Sequence, residues 1–172
     1  LALLASHASS HAAPSSVVHS HARVRTVQLA AWCDLRVVAE DAVLGVFCRR
    51  FGVPLIDLGT IRLPRLIGHS RAMDLILTGR AVAAKEAALM GLANRVASTG
   101  KALDVAIDLA KEIASHPQLC MRNDRRSAID QWGLTEPEAT QHELRLGLET
   151  IESGETLTGA TRFTKGAGRH GD

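Results

Sequence analysis

The chain of 172 residues has few cysteines, few aromatic residues and no long apolar run. Its three cysteines, Cys33, Cys48 and Cys120, are few and odd in number, which argues against a disulfide framework and indicates the reducing cytoplasm. They include no Cys-x-x-Cys pair, which argues against a zinc ribbon. No histidine adjoins Cys33 to activate it, so we expect all three thiols to be buried and structural. No apolar run approaches the about 20 residues that span a bilayer, so we expect no membrane partner.

The chain also lacks a large excess of either charge, since its formal net charge is +2. Residues 1–27 contain Arg23, Arg25 and no acid, and the remaining 18 basic and 18 acidic residues cancel. Binding to nucleic acid phosphates needs a net basic face, and three Phe, two Trp and no Tyr leave little for stacking on bases. The composition therefore predicts no nucleic-acid partner.

Residues 1–27 differ in composition from the rest of the chain. They contain four of the eight histidines, together with six serines, and no sustained apolar period; the histidines are His7, His11, His19 and His21. A histidine-rich metal tract is one interpretation. No carboxylate or thiolate accompanies the histidines to complete a site, so we predict a disordered or atypical leader and no metal.

The following residues predict short strands and then helices, which is typical of an α/β layered domain. Strands are predicted at residues 35–39 and 42–47, helices at 57–67, 69–77, 83–90, 101–115 and 117–132, and an extended segment at 92–98. Thr135, Pro137 and Glu138 form a capping box that opens a last helix running to about residue 153.

Five arginines lie close together in the sequence between residues 49 and 71. They are Arg49, Arg50, Arg62, Arg65 and Arg71. Guanidinium groups suit bidentate binding of phosphate, so a phosphorylated ligand is one interpretation. A solvated helix face is the other, and the sequence leaves both open.

Asp57 is a carboxylate between apolar residues, following Leu55 and Ile56 and preceding Leu58. Apolar neighbours at a junction between a loop and a helix can partly desolvate an acid and suit it to acid–base catalysis. The alternative is a helix N-cap, a position that aspartate fills well.

From residue 28 to the C-terminus, about five sixths of the chain, the sequence resembles the crotonase superfamily of enoyl-CoA hydratases and isomerases. The segments that carry the resemblance are residues 29–36 (LAAWCDLR), 52–60 (GVPLIDLGT), 62–68 (RLPRLIG), 77–80 (LTGR), 86–87 (EA) and 91–96 (GLANRV). It implies a ββα spiral core lacking its N-terminal part at residues 28–98. It further implies a helical oligomerisation region at 99–172, which would form a homotrimer or hexamer.

The resemblance also implies an activity in fatty acid metabolism. Members bind acyl-CoA thioesters and stabilise an enolate-type oxyanion with two backbone N–H groups, while carboxylates move protons or activate water. Coenzyme A is part of the substrate, so no separate cofactor is expected. Asp57 matches the catalytic aspartate of dienoyl-CoA isomerase-like members. Phe163 matches an aromatic that contacts a neighbouring subunit's ligand, and Lys165 lies one residue from a lysine that binds the CoA phosphate.

The sequence departs from the family at other catalytic positions. The two glutamates of the hydratases align with Gln28 and Cys48, and Arg25–Thr26 replaces the Gly-Gly turn that supplies an oxyanion donor. We therefore expect either an isomerase-like enzyme that uses Asp57 or a truncated, catalytically impaired member. The impaired member would bind only acyl-CoA or partner subunits.

Overall fold

The computed structural model describes residues 2–6, 15–17 and 26–168, in two units that divide at residues 110 and 111. The sequence placed the start of the helical region at residue 99. The leader predicted over residues 1–27 falls largely outside the described ranges, as do all four of its histidines. Two short strands lie within it, β1 (Ala2–Ser6) and β2 (Ser15–Val17), and the leader stays a prediction.

The first unit combines two small sheets with short helices. Its other strands are β3 (Leu35–Ala39), β4 (Val43–Gly45), β5 (Ala81–Ala83) and β6 (Arg95–Ala97). Its helices are α1 (Thr26–Trp32), α2 (Gly59–Ile67), α3 (His69–Thr78) and α4 (Ala84–Leu89), with a 3₁₀ turn at Phe47–Phe51. A longer helix, α5 (Ala102–Ser115), spans the boundary between the units.

The larger sheet has the strand order β2-β1-β3-β6, and the smaller one pairs β4 with β5. Strand β1 runs antiparallel to both β2 and β3, whereas β3 and β6 are parallel with Val38 opposite Val96. Strands β4 and β5 are antiparallel with Leu44 opposite Val82. Parallel strands require a crossover, and here the chain between β3 and β6 supplies it through β4, α2, α3, β5 and α4.

The main core of the first unit lies among these crossover elements. Leu63 of α2, Leu75 of α3, Val82 of β5 and Ala87 of α4 are fully buried in it. A second, smaller core lies where α5 packs on β3 and β6, around Val37 and Ala106. Leu55, in the segment just before α2, is also buried in this core and so attaches that segment to it.

Arg36 is a charged side chain inside the first unit, with 2% of its surface exposed. Its Nε donates to the carbonyl of Leu92 at 2.7 Å, and its Nη1 donates to the carbonyl of Cys33. The Arg36 backbone N–H donates to Oδ1 of Asn94 at 2.9 Å, and the Asn94 backbone N–H donates to the Arg36 carbonyl at 2.8 Å. Burial lowers the pKa of the Arg36 guanidinium. Arg36 therefore joins the end of α1 to the segment that enters β6.

The second unit is helical and contains α6 (Gln118–Asp130), a 3₁₀ turn at Gln131–Gly133, α7 (Glu136–Glu152) and α8 (Glu155–Thr164). The buried Asn123 of α6 donates to the Leu146 carbonyl of α7 at 3.0 Å. The Glu155 carboxylate of α8 accepts the backbone N–H groups of Leu119 and Cys120 at the start of α6. The three helices are thus joined by polar contacts. Among the described residues, no helix is long and apolar enough to cross a bilayer.

The capping box predicted from the sequence opens α7. The Glu138 carboxylate accepts the Thr135 backbone N–H at 2.8 Å and the Thr135 hydroxyl at 2.7 Å. These bonds hold the pKa of Glu138 below its usual value. The acid also lies in the first turn, where the helix dipole favours negative charge.

Replacing Arg36 tests whether its buried bonds stabilise the first unit. We expect Arg36→Met to lower the free energy of unfolding by about 2–4 kcal/mol, because buried carbonyls lose their donor. Arg95→Met is the matched control, since Arg95 is exposed and, among the described residues, donates only to the carbonyl of the adjacent Asn94; we expect a change within about 0.5 kcal/mol. Urea unfolding measures both, and equal stability of the two variants would contradict this role for Arg36.

Candidate functional site

Asp57 lies in the turn that leads into α2. Helix α2 begins at Gly59 and its N-cap is Leu58, which has φ 59° and ψ 14° and makes no side-chain capping bond. The Leu58 carbonyl accepts the backbone N–H groups of Ile61 and Arg62 at 3.1 and 2.9 Å. Asp57 is therefore not the N-cap. This observation removes the structural alternative for the carboxylate.

The Asp57 side chain is exposed, and among the described residues its carboxylate has no hydrogen-bond or ion-pair partner. The partial desolvation expected from the sequence is wrong for this chain. The apolar neighbours Ile56 and Leu58 are themselves exposed, so they do not cover the acid. The carboxylate is consequently open to solvent.

The surroundings of Asp57 are apolar but open to solvent. Ile56 is 80% exposed, and Val53, Leu58 and Ile61 also lie at the surface of the same turn and the first turn of α2. Exposed apolar side chains that cluster in one segment are typical of a binding surface. The exposed Asp57 carboxylate thus lies in a segment whose neighbouring exposed side chains are apolar.

The backbone of the turn is attached to α1 by a side chain. The indole Nε1–H of Trp32 donates to the Asp57 carbonyl at 2.9 Å. The Arg62 guanidinium lies 4.6 Å from the centre of the Trp32 ring and donates to the carbonyls of Ala31 and Trp32 at 3.3 and 3.2 Å. Trp32, Asp57 and Arg62 thus form one contact between α1, the turn and α2.

Four of the five clustered arginines donate to backbone carbonyls in or just after the last turn of a helix. Arg49 and Arg50 bind the carbonyls of Ile76 and Gly79 at the end of α3, both at 3.0 Å, and Arg71 reaches the Met90 carbonyl after α4 at 3.5 Å. Arg62 does the same for α1. Helix C-termini leave carbonyls without intrahelical donors, and arginine satisfies them. These contacts give the cluster a structural role, so they favour neither a phosphate site nor a merely solvated face.

Two of the three thiols are buried, as the sequence predicted, and the third is not. Cys33 and Cys48 are buried, whereas Cys120 is partly exposed on α6. Burial raises the pKa of the Cys33 thiol, which disfavours the nucleophilic thiolate. No group of three or more His, Cys, Asp or Glu side chains within the described residues could hold a metal ion.

Phe163 and Lys165 lie in the second unit, at the end of α8, while Asp57 lies in the first. Phe163 is exposed, and so is Lys165, which follows the last helical residue. The structure therefore presents an aromatic ring and an ammonium group at one helix end. Both residues stay predicted contacts for substrate.

Sequence reasoning missed the contact of Trp32 and Arg62 with the Asp57 turn. Trp32 and Asp57 are 25 residues apart, and Arg62 is 30 residues from Trp32. Helix and strand periodicities relate residues only a few positions apart, so they do not predict a contact between Trp32 and either Asp57 or Arg62.

Comparison with known proteins identifies close similarities. The family model described as enoyl-CoA hydratase/isomerase matches residues 16–167. A Dictyostelium discoideum protein named as a probable mitochondrial enoyl-CoA hydratase is 32% identical over 157 residues, covering 87% of this chain and 54% of that protein. The chain spans about half the length of the curated relatives it matches.

Solved structures show the same fold. An enoyl-CoA hydratase from Bacillus anthracis has a TM-score of 0.76 at 32% identity, over 81% of this chain and 54% of that one. An enoyl-CoA hydratase from Mycobacterium tuberculosis H37Rv has a TM-score of 0.76 at 31% identity, over 80% and 54%. The α/β class predicted from the sequence, with a crotonase-like core and a helical C-terminal region, is confirmed.

Alkylation of the native chain tests the assigned states of the three thiols. We expect iodoacetamide to modify Cys120 first, and Cys33 and Cys48 only after urea unfolds the chain, because only Cys120 is accessible. Burial and the Asp124 carboxylate raise the pKa of Cys120, so its modification should accelerate as the pH rises above neutral. Peptide mass spectrometry measures each site, with Cys120→Ser as control. Early modification of Cys33 in the native chain would contradict its burial.

Proposed function

Because the chain belongs to the enoyl-CoA hydratase/isomerase family, we propose that it acts on acyl-CoA thioesters through an enolate-type oxyanion. Asp57 is the group that moves the proton in this proposal. The supporting observation is an accessible carboxylate, without a partner among the described residues, on a turn whose other exposed side chains are apolar. Coenzyme A enters as part of the substrate, and no separate cofactor is proposed.

The chemistry follows from the placement of one acid beside an apolar surface. Val53 and Ile56 offer contacts for an acyl chain, which would bring the carbons next to the thioester close to Asp57. Removal of a proton there leaves negative charge on the thioester oxygen, which backbone N–H donors stabilise. In the family one donor comes from a Gly-Gly turn, and Arg25–Thr26 takes the place of that turn in this chain. Helix α1 begins at Thr26, and Arg25 lies outside the described residues.

Proton transfer at Asp57 favours an isomerase-like reaction over hydration. The two positions that carry glutamates in hydratases hold Gln28 and Cys48, and Cys48 is buried. Neither side chain is a carboxylate, so neither can serve as the base that activates water. A single acid can take a proton from one carbon of an enoyl chain and return it to another. Such a shift moves the double bond without a second base.

Phe163 and Lys165 complete the proposal as substrate contacts. Phe163 presents an exposed ring that suits an apolar or adenine surface, and Lys165 presents an ammonium group that suits a phosphate of coenzyme A. Both lie at the end of α8. We place the enzyme in the cytoplasm because its cysteines are few and Cys33 and Cys48 are buried thiols.

Acyl-CoA binding without turnover is the second candidate function. The observation that favours it is the replacement of both hydratase glutamates, which leaves Asp57 as the one acid that the resemblance assigns to catalysis. A chain of this kind would hold an acyl-CoA or assemble with partner subunits. Measuring binding and turnover separately distinguishes the two candidates.

Self-association through the second unit is a further part of the proposal. On α7, Leu144, Leu148 and Ile151 are exposed at a spacing of four and three residues, which places them on one face. The buried Leu146 and Thr150 occupy a different face, so the exposed stripe is not needed to pack the unit itself. We propose that this stripe joins copies of the chain into a homotrimer or hexamer.

Replacing the carboxylate of Asp57 tests the enzymatic proposal. We expect Asp57→Asn to lower kcat on a 3-enoyl-CoA by about 10²- to 10⁴-fold with KM little changed, because the amide cannot accept the proton. Asp41→Asn is the control, an exposed acid in the same unit. Isomerisation is followed by coupled assay, crotonyl-CoA reports hydration, and calorimetry with acyl-CoA reports binding.

Three results contradict parts of this account in different ways. Full activity of Asp57→Asn would remove Asp57 from the mechanism. Acyl-CoA binding with no turnover in the unaltered chain would favour the binding function. Absence of both binding and turnover would exclude acyl-CoA as its ligand.

Changing the exposed stripe of α7 tests the proposed assembly. We expect Leu148→Glu to shift the chain from trimer or hexamer to monomer, because burying a carboxylate in an apolar interface is unfavourable. Leu77→Glu is the matched control, an exposed leucine on α3 of the first unit. Analytical ultracentrifugation gives the masses. An assembly that persists in Leu148→Glu, or dissociates equally in Leu77→Glu, would contradict the proposed interface.

A further inference from the structure

The bond from Trp32 to Asp57 engages the backbone of the residue that carries the proposed catalytic carboxylate. The indole Nε1–H donates to the Asp57 carbonyl at 2.9 Å across 25 residues of sequence. The next residue, Leu58, has a left-handed φ of 59°, which a side chain other than glycine rarely adopts. The conformation of the turn at this point is therefore held by an interaction from outside the turn.

The indole itself is fixed on two sides. Trp32 is 40% exposed, so water would compete for its N–H if the ring were free to rotate. The Arg62 guanidinium covers one ring face at 4.6 Å and binds the carbonyls of Ala31 and Trp32. Arg62 belongs to α2, the helix that the Asp57 turn enters. The guanidinium thus couples the start of α2 to the end of α1 and keeps the indole aimed at the turn.

We propose that Trp32 is a positioning residue that acts through Asp57, with Arg62 holding the indole in place. This inference rests on the proposed function of Asp57. A hydrogen bond to the carbonyl of residue 57 restrains the peptide plane that follows it, and so narrows the range of directions in which the Cα–Cβ bond of Asp57 points. An acid that must meet one carbon of a bound thioester loses rate when its direction is not held.

A double-mutant cycle tests the proposal. Trp32→Phe removes the N–H donor and keeps a ring for Arg62, and we expect it to lower kcat by about 3- to 10-fold with KM little changed, the effect of one lost hydrogen bond. In an Asp57→Asn background the same change should have no further effect on kcat, because Trp32 acts through the carboxylate. Trp132→Phe, the other tryptophan of the chain, is the control and should leave kcat unchanged in both backgrounds.

Arg62→Lys provides a second variant that keeps the positive charge. The lysine loses the planar stack on the indole and the paired bonds to the end of α1. We expect Arg62→Lys to lower kcat, as Trp32→Phe does. In the Asp57→Asn background we expect it to have no further effect on kcat. An equal fall in kcat for Trp32→Phe with and without the Asp57 carboxylate would overturn the proposal, as would an unchanged kcat.

Hydrogen exchange of the turn provides a readout that needs no turnover. We expect Trp32→Phe to accelerate amide exchange in residues 53–62, and Trp132→Phe to leave that peptide unchanged. Unchanged exchange in Trp32→Phe would overturn the positioning role even in an inactive chain. A normal kcat for Asp57→Asn combined with faster exchange in Trp32→Phe would instead refute the proposed function while leaving the contact itself established.

Discussion

The fold of the first unit requires hydrogen-bond donors for the carbonyl groups at its helix ends. Each helix leaves its last carbonyls without intrahelical donors, and short helices have many such ends for their length. Arg49 and Arg50 satisfy the end of α3, Arg62 satisfies the end of α1, and the buried Arg36 satisfies the carbonyls of Cys33 and Leu92. Arginine suits this task because its planar group donates in several directions and remains charged.

This use of arginine shapes the candidate site. The Arg62 guanidinium beside the Asp57 turn donates to the carbonyls of Ala31 and Trp32, and the Asp57 carboxylate has no counter-ion among the described residues. The site thus combines an exposed acid, unpaired within the part of the chain that the structure describes, with exposed apolar side chains such as Val53 and Ile56. Neither property alone indicates a reaction. Together, in a chain of the enoyl-CoA hydratase/isomerase family, they are the basis on which we propose proton transfer by Asp57.

Much of the fold could be predicted from local patterns. Strand β3 was predicted with the bounds that it has, and the capping box at Thr135 and Glu138 opens α7 as expected. The three-residue strand β5 is too short to show a period, and the threonines and Gly159 of α8 gave its sequence little helical preference. Those two elements form through packing with neighbours, which a single sequence does not display.

The candidate site was predicted only in part, for a related reason. The position of Asp57 before α2 could be read from the sequence, but its exposure could not, because exposure depends on which surfaces cover the turn. The partners Trp32 and Arg62 are 25 and 30 residues from their contacts, beyond any local period. Long-range contacts of this kind require the three-dimensional arrangement of α1 and α2.

Titration with an acyl-CoA thioether that cannot react, followed by ¹H–¹⁵N NMR, tests whether acyl-CoA binds at the Asp57 turn. The chain has two indole N–H signals, and Trp132→Phe assigns the one from Trp32. We expect the Trp32 indole and the amides of residues 53–62 to shift most as the ligand binds. Binding that leaves the Trp32 indole unmoved and perturbs only residues remote from the turn would contradict it.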